Sequence, residues 1–240
     1  MKLKYQRILL KLSGESLMGD QAYGISPEML EAYASDVVAA AKKGAQIAIV
    51  IGGGNIFRGL QGTADGMDRV QGDYMGMLAT LINSMALQSE IEKQGIKTLL
   101  LGGLEVKPIA KAMSRRDAIE GLEEGKVVII SGGTGNPFFT TDSASALRGV
   151  EIKADILLKG TRVDGVYTAD PEKDPKATKY STLSFDEAYE KNLKIMDLTA
   201  FTLCRENDLP IYVFDMNQKG NLLRLLQGQN IGTLVSNNEL

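Results

Sequence analysis

Apolar residues along the chain gather into short unbroken runs, and longer stretches with helical spacing separate them. Arg7 to Leu12, Ile47 to Ile51, Lys97 to Leu101, Val127 to Ile130, Ala154 to Lys159, Ile211 to Phe214 and Gly232 to Val235 are rich in Ile, Leu and Val and predict strands. Ile47-Ala48-Ile49-Val50-Ile51 has no polar break and fits a strand buried on both faces, as at the centre of a parallel sheet. Between the strands, Ser26-Pro27 opens a helix that reaches Lys43, with Gly44 as its stop. Further helices are predicted from near Arg69 to Lys93, within Lys111 to Glu124, over Ser143 to Gly149 and Ser184 to Lys191, from Asp197 onward, and over Asn221 to Leu226. Ser114 with Asp117, and Ser184 with Glu187, stand in capping-box register. This alternation predicts an α/β protein, a three-layer αβα sandwich around a mostly parallel sheet. No internal repeat or low-complexity linker divides it. The softest boundary lies near Gly149 to Lys153, splitting a single domain into residues 1–150 and 151–240.

The long helix ending at Lys93 carries Met75, Met77, Leu78, Leu81, Ile82, Met85, Ala86 and Leu87, which surround more than one face. Two readings fit: core on one side and a second subunit on the other, or burial within one subunit.

A chain of 240 residues has ample length for a core, and 44% hydrophobic with 24% charged residues places it among globular proteins. A net charge of −3 and a pI near 5.2 argue against general nucleic-acid binding, so any phosphate affinity is local. The lone Cys204 excludes a disulfide framework, and the absence of histidine removes His-based acid–base catalysis and His-ligated metals. Lys11 interrupts the apolar patch near the start too early for a signal peptide, and no apolar run approaches the roughly 18 residues of a membrane span. A cytoplasmic location is expected.

Candidate chemistry gathers where strands run into glycine. Gly52-Gly53-Gly54 follows a buried-type strand and leads to Arg58, a loop whose free backbone N–H groups and guanidinium suit an anion; a plain βα turn with a solvated arginine fits equally well. Lys11 stands at the end of the first strand beside the Ser13-Gly14-Glu15-Ser16 turn, where a doubly wound sheet opens on its ligand crevice. A second glycine-rich loop, Gly132 to Asp142, follows another buried-type strand and makes a shared crevice the stronger reading. Thr134, Asn136, Thr140 and Thr141 offer neutral hydrogen-bonding groups there, and Phe138 and Phe139 flat apolar surface; a polar loop with an N-cap at Thr141 or Asp142 is the structural alternative. Thr161, Tyr167 and Asp170 fit either a nucleoside-binding frame or simple turns, and Asp197 either an N-cap or a ligand-facing carboxylate. Gly121 to Val127 fails as a P-loop in spacing and context, the Asp164 segment fails as a calcium loop, and neither glycine loop completes a dinucleotide fingerprint.

Taken together, Lys11-Leu12-Ser13-Gly14-Glu15, Gly52 to Gly59, Gly132 to Asp142, Asp164 to Pro171 and Met196-Asp197 resemble the amino acid kinase family, and within it the bacterial UMP kinases, over essentially the whole chain. The resemblance implies transfer of the ATP γ-phosphoryl group to UMP, giving UDP and ADP with Mg²⁺ held mainly by nucleotide phosphates and water. It places Lys11, Leu12, Ser13, Gly14, Gly54, Arg58, Thr161, Tyr167 and Asp170 on the ATP side. Gly53, Asp73, Thr134, Gly135, Asn136, Pro137, Phe138, Phe139, Thr140 and Thr141 fall on the UMP side. Lys11, Arg58, Asp142 and Asp197 are implied to be catalytic, the two carboxylates organising the lysine and the metal. Gly19, Asp20, Gln21, Ala22, Tyr23 and Gly24 match a segment tied to activation by GTP; UTP is implied as an inhibitor and the assembly as a homohexamer, a trimer of dimers joined through the long helix. A carboxylate kinase of the same family is the nearest alternative, although the chain lacks a Gly-Gly-Met segment after Asp170-Pro171. A non-catalytic nucleotide sensor or storage protein of the same fold is another.

Overall fold

The computed structural model describes residues 3–58, 66–171, 173–174 and 176–237. Nine strands form a single sheet in the order β4-β3-β5-β2-β1-β6-β8-β9-β7. They are β1 (Arg7–Leu12), β2 (Gln46–Ile51), β3 (Thr98–Gly102), β4 (Lys111–Ala112), β5 (Val127–Ser131), β6 (Ile156–Thr161), β7 (Thr182–Ser184), β8 (Ile211–Asp215) and β9 (Thr233–Ser236). Strand β1 lies between β2 and β6, with Lys11 opposite Val50 on one side and Lys159 on the other. All neighbours run parallel except β8 and β9. The expected α/β sandwich is therefore present, with a sheet continuous through both halves of the sequence.

Side-chain alternation along β1 shows how the layers form. Ile8, Leu10 and Leu12 point to one face and join a core with Ile47, Ile49 and Ile51 of β2. Leu9 points to the other, with Ala48, Val50, Val128 and Leu157. The first face is covered by α1 (Pro27–Ala41), α2 (Arg69–Lys93) and α7 (Asn221–Leu226), and the second by α3 (Arg115–Glu123), α4 (Thr141–Glu151), α5 (Phe185–Glu190) and α6 (Leu198–Glu206). Each fully buried Leu or Ile contributes about 1.5–3 kcal/mol. Lys11 has the parity of Leu9, so the strand itself aims the ammonium at the α4 layer.

The helix starts follow their caps. Ser26 accepts from Met29 N–H with Pro27 at the first position, Ser114 from Asp117 N–H and Ser184 from Glu187 N–H, as the sequence predicts. Gly44, with φ of 90°, ends the turn after α1. Helix α4 departs from expectation: it begins at Thr141, with Thr140 rather than Thr141 or Asp142 as the cap, because Thr140 Oγ1 accepts from Ser143 N–H at 3.1 Å. The Ser13–Ser16 turn is a short 3-10 helix over Gly14–Leu17. Among the described residues no helix is long and apolar enough to cross a membrane. Gly59, expected at the end of the first glycine loop, lies outside the described residues.

Candidate active site

At the end of β1, Lys11 and Lys159 reach the same carboxylate. Lys11 Nζ lies 2.9 Å from Asp142 Oδ1, and Lys159 Nζ lies 3.2 Å from Asp142 Oδ2. The three side chains are between 13% and 18% exposed, dry enough for the charges to be felt strongly. Burial works to raise the Asp142 carboxyl, but the Lys11 and Lys159 ammonium groups outweigh it and hold the acid below its ordinary range. Lys159 moves down: burial lowers it, Asp142 opposes and the nearby Lys11 charge adds to the lowering. Lys159 also donates to the Ile195 carbonyl oxygen at 2.5 Å, which ties β6 to the segment before α6.

Asp197 caps α6 by accepting from Ala200 N–H at 2.9 Å, and its carboxylate also accepts from the hydroxyls of Thr140 and Ser143. The N-cap reading of Asp197 holds, and the cap stands against the first turn of α4. The N-terminal ends of α4 and α6 are fastened side by side next to the lysines, and two such ends present a favourable field to phosphate.

A cleft of about 480 Å³ opens on one side of this centre, lined by Gly53, Gly54, Arg58, Asp73, Thr134, Asn136, Phe139, Thr140 and Thr141, and also by Glu15, Arg69 and Thr80. Gly53 lies so close to α2 that a Cβ there would sit 2.7 Å from the Ala79 Cβ. Arg58 Nη2 pairs with Glu15 at 2.6 Å, and its Nε donates to the Gly54 carbonyl at 3.3 Å. Gly54 and Arg58, assigned by resemblance to the ATP side, share this cleft with the residues assigned to UMP. Asp73 is held by Arg69 at 2.9 Å and accepts from Phe138 N–H at 2.7 Å. Phe138 has φ of 72°, an uncommon conformation for a bulky residue, and Arg69 stands over its ring. Gly135 and Pro137 complete the same loop.

A second cavity of about 530 Å³ lies beyond Lys159, lined by Thr161, Val163, Tyr167, Asp170 and the Lys191–Ile195 segment. Tyr167 donates to Asp164 at 2.5 Å, and Lys179 pairs with the same carboxylate at 2.7 Å. Thr161 Oγ1 donates to the Val163 carbonyl and accepts from its N–H, closing the turn. Leu12 is buried in the core, the Ser13 carbonyl accepts from Ser16 N–H at 3.1 Å to open the 3-10 turn, and Gly14 packs where a Cβ would lie 2.5 Å from Asn55 Oδ1. The Gly19–Gly24 loop is anchored at its end, where Gly24 N–H donates to the Asn55 carbonyl at 2.8 Å, while Tyr23 is exposed.

Sequence reasoning passed over Lys159, Ser143, Glu15 and Arg69. The signal for Lys159 was available: its place at a strand end before Gly160 repeats that of Lys11 before Ser13-Gly14.

The sequence profile of the amino acid kinase family matches residues 6–215. A uridylate kinase of Porphyromonas gingivalis is 62% identical over 97% of this chain and 98% of its own, and one of Parabacteroides distasonis is 61% identical over 98% and 99%. Among solved structures, a UMP kinase from Bacillus anthracis superimposes with a TM-score of 0.95 at 34% identity, covering 98% of this chain and 97% of its own. One from Ureaplasma parvum gives 0.92 at 35% identity, covering 98% and 100%. With two glycine loops facing a lysine–aspartate–lysine centre and kinship of this extent, the chain belongs to the amino acid kinase family and, within it, to the uridylate kinases.

Proposed function

We propose that the protein transfers the γ-phosphoryl group of ATP to the phosphate of UMP, forming UDP and ADP, in the cytoplasm. The observation that carries the reading is the Lys11–Asp142–Lys159 centre standing between two cavities, one walled by the glycine loops and the other by Thr161, Tyr167 and Asp170. UMP occupies the first cavity and ATP the second, with the γ-phosphate at the junction beside Gly54 and Arg58.

An oxygen of the UMP phosphate attacks the γ-phosphorus while the bond to the β–γ bridging oxygen breaks, and ADP leaves with that electron pair. The second pKa of a phosphate monoester is about 6, so the nucleophile is already ionised near neutral pH and no general base is required. A site without histidine is adequate for that reason. Lys11, Lys159 and Arg58 offset charge on the transferred group, and the amides at the start of α4 donate to its oxygens. Asp142 holds both ammonium groups in place; with its carboxyl lowered and both oxygens engaged, it acts as an organiser rather than a base.

Among the described residues no three Asp, Glu or Cys side chains stand together as a metal cage, and Asp142 and Asp197 are taken up by lysines, hydroxyls and an amide. A Mg²⁺ ion would enter with the nucleotide, held mainly by its phosphates and water, and Asp197 would be the carboxylate to orient its hydration shell. When bound, the ion supplies further charge neutralisation on the phosphates.

The proposal extends to assembly and control. Tyr74, Met75, Leu78, Ile82 and Met85 leave an exposed apolar stripe on α2, which supports pairing with a second copy and, through it, a homohexamer. The tie between Gly24 and Asn55 supports a loop at Gly19 to Gly24 that responds to GTP, with UTP inhibiting by competing for the uridine pocket.

An ADP-release assay with UMP, CMP and dUMP, repeated with GTP or UTP, tests the reading. Rapid UDP formation, with the other acceptors slower, is expected. Phosphorylation of glutamate, acetylglutamate or aspartate instead, or nucleotide-induced stabilisation without product, would overturn it.

A further inference from the structure

Both loops of the first cavity are fastened to one face of α2. Asp73, Gly76, Thr80 and Asn83 recur at steps of three, four and three residues, so they line a single stripe of that helix. Asp73 accepts from Phe138 N–H at 2.7 Å. Gly53 packs onto the helix at Gly76, where a Cβ added to Gly53 would lie 2.9 Å from the Gly76 carbonyl oxygen. Thr80 Oγ1 accepts from Gly132 N–H at 2.7 Å. Asn83 Nδ2 donates to the Gly52 carbonyl at 2.7 Å and to Asn55 Oδ1 at 2.6 Å, and Asn55 Nδ2 donates back to Asn83 Oδ1 at 3.0 Å.

We infer that Thr80 and Asn83 are positioning residues for the acceptor nucleotide: α2 acts as a ruler that sets the spacing of the two glycine loops. The stripe spans roughly 15 Å of helix at 1.5 Å per residue, long enough to reference both ends of the cleft to one rigid element. Thr80 is suited to this by its inventory of bonds. Its single hydroxyl hydrogen is spent on the Met77 carbonyl at 2.7 Å, which fixes a lone pair toward Gly132 N–H. Gly132 takes φ of 68° just where the strand becomes the loop, so this bond holds the turn from which the Thr134–Thr141 segment departs. Thr80 is 6% exposed and Asn83 is fully buried, so water offers no ready replacement for either partner.

The inference rests on the first cavity being the UMP side, and its test separates the two claims. UDP formation by the unaltered protein checks the reaction. For the ruler, Thr80→Val keeps the shape and removes the acceptor. It is expected to raise the KM for UMP about tenfold, the scale of one buried hydrogen bond lost, while the KM for ATP changes less than threefold. Thr80→Ser, which restores the hydroxyl, recovers most of the wild-type KM, a rescue that a merely space-filling role does not require. Amide hydrogen exchange provides a second readout: Gly132 N–H exchanges slowly in the unaltered protein and quickly in Thr80→Val. If Thr80→Val does not fold, Thr80→Ala carries the same comparison. The inference is overturned by a UMP KM within twofold of wild type in either folded variant, by equal rises in both KM values, or by fast Gly132 exchange in the unaltered protein.

Discussion

Asp142 faces two ammonium groups from the first turn of α4, so its protonation bears directly on stability. Its folded-state carboxyl is lowered from the ordinary 3.8, chiefly because Lys11 and Lys159 outweigh burial. A lowered acid adds stability that is fully present above the unfolded value and disappears as pH falls through the folded one. Urea midpoints measured between about pH 2 and 6 should therefore drop on the acid side, and Asp142→Asn should flatten that part of the profile. Lys11→Ala or Arg58→Ala should lower kcat by about 100-fold or more, the scale of removing one charge-stabilising donor, as a coupled ADP assay would register. Cys204 belongs to the same neighbourhood but not to the chemistry. Burial, with Asp142 and Asp197 nearby, pushes its thiol up to about 12. It should resist a chromogenic thiol reagent in the native protein and react promptly after unfolding.

Helix α6 starts on Asp197, which also gathers Thr140 and Ser143 at the start of α4. Asp197→Ala removes a cap and a bridge together; a loss of about 1–2 kcal/mol by chemical denaturation, with kcat reduced, is expected. At this scale much of the structure was legible from the chain. Ser184 with Glu187 and Ser26 with Pro27 marked real helix starts, and Asn221 to Leu226 was bounded correctly. The misses have physical reasons. Thr140-Thr141-Asp142 looks like loop because polar residues favour turns and caps alike, so α4 was begun two residues late. Strands β4 and β7, of two and three residues, are too short for any period to show. The expected mostly parallel sheet has one antiparallel pair, where the chain returns from α7 and Ile211 pairs with Val235. In the site, the two glycine loops and Lys11 stood out by local chemistry, and Asp142 only through the family resemblance. Lys159 has the same strand-end signal before a glycine, but only the pairing of β1 with β6 reveals that it stands beside Lys11.

On the scale of the whole molecule, α2 carries different chemistry on opposite faces. Its inner stripe holds both glycine loops, and its outer stripe leaves Leu78 and Ile82 at 46% and 50% exposure. Placing charge there through Leu78→Glu with Ile82→Glu should yield a smaller species by light scattering, since a buried unpaired carboxylate disfavours a helix–helix interface. Strand β9 has a different kind of reach. It lies between β8 and the edge strand β7, and Thr233 Oγ1 accepts from Val166 N–H at 2.8 Å, so a segment near the carboxyl end steadies the wall around Tyr167. On the proposed assignment, the wall of the ATP cavity therefore leans on a hydroxyl that lies on a different strand, outside the cavity's own lining. Thr233→Val, which removes that acceptor, should weaken retention of the protein on immobilised ATP and leave its retention on immobilised UMP unchanged.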